Sequence, residues 1–180
     1  MADPDSTSPA PWWQILLVGR NPKTTLVRLL VTAALVYFGF KATVQPIVVS
    51  GISMLPTYKD GRHLYINKLA FRTAEPRRGE VVAIREAGNH LFLLKRIIAL
   101  PGERIRIRAG RVFINGEPLE EPYLLPPAPG VRNPAAWEIP ELELRPDELY
   151  VIGDNRSMRQ EDHYFGRVQL SRVVGRPFKP

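Results

Sequence analysis

Twelve consecutive uncharged residues, 29–40, set inside a longer apolar stretch, 26–44, constrain this chain more than any other feature. Such a run has to leave water, either for a protein core or for a lipid bilayer. Twelve residues fall short of the ~20 that span a hydrocarbon core as a helix. Arg28 and Lys41 flank the run, however, and long basic side chains can reach the polar interface while their stems stay in lipid. Three readings follow. A core helix at the protein surface would need a polar face, which the stretch lacks. A cleaved signal peptide would need small residues after the apolar run, and Gly39-Phe40-Lys41-Ala42 supplies no such site. An uncleaved anchor fits, with Arg20, Lys23 and Arg28 holding the amino end in the cytoplasm and Trp12 and Trp13 at the inner interface. The expected organisation is a disordered cytoplasmic segment over 1–25, a transmembrane anchor over 26–44 and an extracytoplasmic body over 45–180.

In the body, short β-type runs recur: Ile47-Val48-Val49, Leu64-Tyr65-Ile66 and Glu80-Val81-Val82-Ala83-Ile84. A longer apolar run, from His90 to Leu100, is broken only by Lys95 and Arg96. Arg104-Ile105-Arg106-Ile107-Arg108 alternates as a half-buried strand does. Ala109-Gly110 and Asn115-Gly116 are turn signals on either side of Arg111-Val112-Phe113-Ile114, so a hairpin meander is expected there. Residues 122–146 hold seven prolines and Trp137 and are expected to form a long loop or flap. Leu149-Tyr150-Val151-Ile152 and residues 168–174 complete an all-β, β-dominated domain. The 18 prolines agree with a loop-rich β fold.

Composition removes several functions. With no cysteine there is no disulfide scaffold, no thiolate nucleophile and no cysteine-ligated metal. His63, His90 and His163 show no ligand spacing, so neither a metal nor another cofactor is expected. The net charge of +7 comes from scattered residues and not from a block, which speaks against nucleic acid as a partner. Arg104, Arg106 and Arg108 share a strand face that could meet phosphates or simply face solvent. A Ser-His-Asp arrangement stays open, because triads are defined in space. Two further features stand out. Ser53 lies between the flexible Gly51 and a Met54-Leu55-Pro56-Thr57 segment, and Lys95 sits within an apolar run where an ammonium group is costly. Singly, the serine could be a turn residue and the lysine an edge-strand charge.

Together and in this order, residues 50–57, Arg78-Gly79-Glu80-Val81-Val82, residues 95–103 and Gly153-Asp154-Asn155-Arg156 resemble the four consecutive boxes of type I signal peptidases. The resemblance runs over 26–180 behind an N-terminal anchor. It implies a signal-peptidase-like fold and a Ser/Lys dyad, with Ser53 as nucleophile and Lys95 as general base. A serine oxygen must lose its proton to attack a peptide carbonyl, and a neutral amine can take it. A free lysine titrates near ~10.4, so burial among Leu93, Leu94, Ile97 and Ile98 has to lower it. The resemblance also implies an oxyanion hole at Ser53 and Gly51, resting mainly on the Ser53 N–H, because glycine stands where some members carry a hydroxyl. A substrate-binding edge strand over 47–50 is implied, with small-residue pockets lined by Ile47, Val49, Met54 and Leu94 that accept Ala-x-Ala-like sites. Supporting roles fall to Asp154, Arg156 and Glu161. The implied partners are signal-peptide-bearing preproteins and the lipid bilayer, close to the secretion translocon, in the plasma (inner) membrane.

The last box departs from the family pattern. Arg159 stands where a lysine-orienting serine is usual, Glu161 replaces aspartate and His163 replaces arginine. Either Ser157 or another donor would then orient Lys95, and Glu161 could pair with Arg156. Arg159 could lie beside Lys95 and depress its pKa, or turn outward to Glu161 or Asp162. Two other functions compete: a catalytically silent relative that binds extended peptides by strand addition, and a self-cleaving repressor. The repressor would need a helix-turn-helix module, for which residues 1–44 are too short and too apolar.

Overall fold

The computed structural model describes residues 21–72, 74–86, 92–124, 137–163 and 166–178, and divides the chain into two compact units at Ala42/Thr43. Trp12, Trp13, Arg20 and His90 lie outside the described residues, as do positions 125–136 of the proline-rich segment.

Among its described residues the first unit carries one helix, α1 (Pro22–Thr43). It starts four residues before the apolar stretch. Asn21 caps it, its side-chain Oδ1 accepting from the Lys23 N–H at 3.1 Å, and Pro22 takes the first helical position, where its missing N–H costs nothing. Lys41 sits in the last turn, against the negative end of the helix dipole. Large apolar side chains are exposed on every side of α1, and Lys23–Thr43 is long and apolar enough to cross a membrane. A helix apolar all round with no core of its own fits a single-pass anchor.

Among its described residues the second unit holds eleven strands in two antiparallel sheets. The larger sheet takes the order β1 (Val44–Val48), β2 (His63–Asn67), β11 (Val173–Pro177), β3 (Val81–Arg85), β4 (Phe92–Ala99), β9 (Glu148–Ile152), β10 (Gly166–Gln169). The smaller is β7 (Glu117–Pro118), β6 (Arg111–Ile114), β5 (Arg104–Arg108), β8 (Ile139–Glu143). In β5 the alternation behaves as expected: Ile105 and Ile107 are buried, while the arginines face outward, Arg106 stacking over Phe113. The turns at Ala109-Gly110 and Asn115-Gly116 have positive φ at both residues, the conformation that matches strand twist in two-residue hairpins.

One expectation changes. The proline-rich segment is not loop throughout: β8 lies within it, carrying Pro140, because the outer edge of the small sheet tolerates a residue with no N–H to donate. The last run, residues 168–174, takes part in two strands. A 3-10 turn at Leu170–Arg172 divides them; β10 pairs with β9, and β11 inserts between β2 and β3. Gly175 permits that insertion, since a Cβ there would come within 2.1 Å of the Asn67 carbonyl oxygen.

Three apolar clusters fix the sheets. Ile98, Tyr150 and Ile152 of the large sheet pack with Ile105, Ile107 and Val112 of the small one, and Trp137 closes this group. A second cluster joins Val49, Met54, Tyr58, Leu64, Ile66 and Leu94. The third lies along the middle of the large sheet around Val82, Ile97 and Leu149. The second cluster positions the chemistry, because it clamps the residues around Ser53 against the start of β4.

Candidate active site

Ser53 sits in the turn that follows β1. Its neighbour Met54 is 1% exposed and anchors the turn in the second cluster, and the Tyr58 N–H donates to the Met54 carbonyl at 2.9 Å. Lys95 comes from β4, one residue beyond Leu94 of that cluster. The two meet across 42 residues of sequence: Lys95 Nζ donates to Ser53 Oγ at 2.9 Å.

Lys95 is 3% exposed, and burial lowers its pKa to about 8 from 10.5, opposed in part by the negative charge of Asp154. Desolvation wins because Asp154 is already engaged. Its carboxylate accepts from Arg96 through Nε at 2.7 Å and Nη2 at 2.5 Å, and from the Thr57 hydroxyl at 2.5 Å. Arg96 also donates to the Gly79 carbonyl at 2.6 Å and lies over the Tyr123 ring at 4.0 Å. The consecutive β4 residues thus have opposite fates: one cation is fully paired, and the other is left to become a neutral amine.

The Gly153-Asp154-Asn155 turn holds Ser53 from the other side. The Asn155 N–H donates to the Ser53 carbonyl at 2.9 Å, and its side-chain amide donates to the Ile52 carbonyl at 3.1 Å. Gly153 lies so close that a Cβ would meet the Ser53 carbonyl oxygen at 2.2 Å and His163 Cε1 at 2.6 Å. His163 is buried behind this turn, edge-on to Trp137 at 4.9 Å. Its pKa falls to about 3, through burial first and then the Lys95 and Arg156 charges, so the imidazole stays neutral at neutral pH.

Several assignments are revised. The Gly51 N–H already donates to Asp60 Oδ1 at 2.8 Å, so it is not an oxyanion donor; the Ser53 N–H makes no hydrogen bond among the described residues and remains available. Arg156 pairs with Glu121, not Glu161, and donates to the Gly153 carbonyl at 3.0 Å. Glu161 is exposed and pairs with Arg159 at 3.2 Å. Arg159 also meets Asp162 at 2.8 Å with its side chain 69% exposed, so it turns outward, where water and two carboxylates solvate it better than the buried dyad could. Ser157 does not orient Lys95 either, since its hydroxyl donates to Asn155 Oδ1 at 2.5 Å. Among the described residues the one hydrogen bond of Lys95 Nζ is to Ser53, and the walls of the apolar pocket hold the rest of the side chain.

The expected substrate strand over 47–50 overlaps the end of β1, whose outer edge has no strand partner among the described residues. Ile47, Val49, Met54 and Leu94 all line one small cleft of about 40 Å³, together with Phe92, Ser53 and Lys95. That space holds about three waters or a small side chain. Two larger hollows, of about 580 and 520 Å³, lie elsewhere and contain neither Ser53 nor Lys95. The cleft is the candidate site because the hydrogen-bonded Ser53 and Lys95 both line it. Sequence reasoning missed Glu121, Tyr123, Thr57 and Asp60. Glu121 is separated from its partner Arg156 by 35 residues with no shared motif, whereas Thr57 lay inside the first box.

The profile described as "Signal peptidase, peptidase S26" matches residues 23–179. A protein of Synechocystis sp. named probable signal peptidase I-2 is 32% identical over 165 residues, covering 88% of this chain and 72% of that one. Signal peptidase I of Bacillus caldolyticus is 32% identical over 145 residues, covering 73% and 79%. A crystal structure of a signal peptidase I from Enterococcus faecalis V583 overlaps at a TM-score of 0.46 with 27% identity, covering 57% of this chain and 97% of that one. With a profile match running from the start of the apolar helix to the end of β11, the chain belongs to the signal peptidase, peptidase S26 family of serine endopeptidases.

Proposed function

We propose that this protein is a membrane-anchored endopeptidase that removes signal peptides from exported preproteins by a Ser53/Lys95 dyad, cutting after Ala-x-Ala-like sequences. The observation that carries the reading is the 2.9 Å bond between Ser53 Oγ and a buried lysine whose pKa lies near 8. A preprotein segment would pair with the free edge of β1 as an added strand, its small side chain entering the cleft between Val49 and Leu94. Neutral Lys95 takes the Ser53 proton as Oγ attacks the scissile carbonyl, and the Ser53 N–H donates to the oxyanion. The lysine then gives that proton to the leaving amine. Water, deprotonated in turn by Lys95, hydrolyses the acyl ester and restores Ser53. The narrow cleft supports a preference for alanine, since a larger side chain would have to displace packed Met54 or Leu94.

In this reading α1 spans the plasma membrane with its basic amino end in the cytoplasm and the β domain outside, within reach of chains leaving the translocon. The test is cleavage of a purified preprotein by the detergent-solubilised protein, with Ser53→Ala, Lys95→Ala and the double variant alongside. Each single change is expected to lower kcat by at least ~10⁴-fold and the double no further, because the residues act as one unit. Losses that multiply in the double variant would overturn the dyad. A wild type that binds preprotein without cutting it would favour the silent peptide binder.

A further inference from the structure

One hollow of the β domain has no part in the chemistry above. It measures about 580 Å³, within the range of small-molecule sites, and Lys68, Phe71, Arg72, Glu75, Leu170 and Val173 are among the residues that line it. Phe71, Leu170 and Val173 pack against the third apolar cluster, so its floor is fixed. Its rim carries two cations against one carboxylate. Arg72 is exposed and forms no ion pair among the described residues, and Leu69 beside it is 37% exposed.

The position of the rim in the chain identifies the occupant. The Lys68 N–H donates to the carbonyl of Thr43 at 2.8 Å, and Thr43 is the residue at which α1 ends. A helix that spans a bilayer ends at the headgroup layer, so Lys68 is tied to that layer by a direct hydrogen bond, with Leu69, Phe71 and Arg72 within four residues. Cations beside exposed apolar side chains at this depth favour an anionic lipid over a neutral one. We propose that this hollow seats the headgroup phosphate of an anionic phospholipid, Lys68 and Arg72 pairing with the phosphate and Leu69 meeting the top of the acyl chains. The proposal rests on α1 being a membrane anchor.

The experiment uses the full chain reconstituted into phosphatidylcholine vesicles containing a minor fraction of phosphatidylglycerol whose headgroup bears a photoactivatable diazirine. Crosslinks are mapped by mass spectrometry. Labelling of the segment 68–76 is expected to exceed that from the matching phosphatidylcholine probe by about fivefold or more, the ratio for one surface cation. It should fall to the phosphatidylcholine level in Lys68→Gln/Arg72→Gln and survive in Lys68→Arg. Both variants should still cleave a soluble peptide in detergent, which shows that they fold. Equal labelling by the two probes, or labelling unchanged in the double variant, would overturn the proposal. So would loss of labelling in millimolar inorganic phosphate, which would make the hollow a site for small anions. Failure of the anchor reads out beforehand: the wild type would then not float with vesicles of either composition after alkaline extraction, and the lipid site would fall with it.

Discussion

Lys95 is held in a state that a lysine in water avoids. At any pH below about 8 the folded protein carries a buried ammonium, and the unfolded chain carries the same charge in water. The folded-state pKa lies below the unfolded value, so the cost to stability is complete below about 8 and fades as pH rises from 8 to 10.5. Lys95→Met should therefore raise stability at pH 7 by about 2 kcal/mol, the desolvation cost less about 1 kcal/mol for the lost bond to Ser53. The gain should vanish by pH 10.5, as thermal unfolding of the two proteins across that range would show; a gain independent of pH would mean that Lys95 is not buried as a cation. The sequence singled out these two residues only through four boxes in order, since alone the serine reads as a turn residue and the lysine as an edge-strand charge. The direction of Arg159 was not legible. Spacing places its Cα in the last box, but its side chain goes where Glu161 and Asp162 can pair with it.

The elements around the dyad work by close approach. The turn after β9 is pressed against the Ser53 carbonyl with no room between, and Asn155 bonds to that same oxygen. Neither the backbone on one side nor the buried imidazole on the other can yield the required distance. Gly153→Ala is therefore expected to displace Ser53 by about 1 Å and lower kcat by roughly 10²-fold while far-ultraviolet circular dichroism stays unchanged. Gly102→Ala serves as the contrast. With φ +76 and open space around it, that change should cost about 1 kcal/mol of stability and leave kcat alone. Equal kcat in the Gly153→Ala protein and the wild type would show that the turn does not position the nucleophile. The strands themselves followed from their alternation and their Asn-Gly and Ala-Gly turns. What local sequence hid was pairing at a distance: β8 finding the free edge of β5, β11 entering between β2 and β3, and Glu121 reaching Arg156. Each depends on which edge or charge is vacant after the rest has folded.

As a whole molecule the proposed peptidase crosses the membrane once, with the charge bias ahead of α1 fixing its direction. Protease added to intact spheroplasts should digest the β domain and spare an epitope placed within the first ten residues; protection of the domain would reverse the orientation. The long apolar helix was legible because an apolar stretch flanked by basic residues has few other fates. The order of the sheets was not, since nothing along the chain announces that its last strand lies near the middle.

In the proposed mechanism a lysine, made easier to deprotonate by burial, activates Ser53. The most direct test is the pH dependence of kcat/KM for cleavage of a preprotein by the free enzyme. An acidic limb is expected with a midpoint near 8, the pKa of Lys95, so that activity at pH 7 is about one tenth of its plateau. Arg159→Ser should leave that limb in place, because Arg159 faces its own carboxylates and not the dyad. A midpoint between about 6 and 7, where a histidine titrates, that persists in Lys95→Ala would contradict that mechanism.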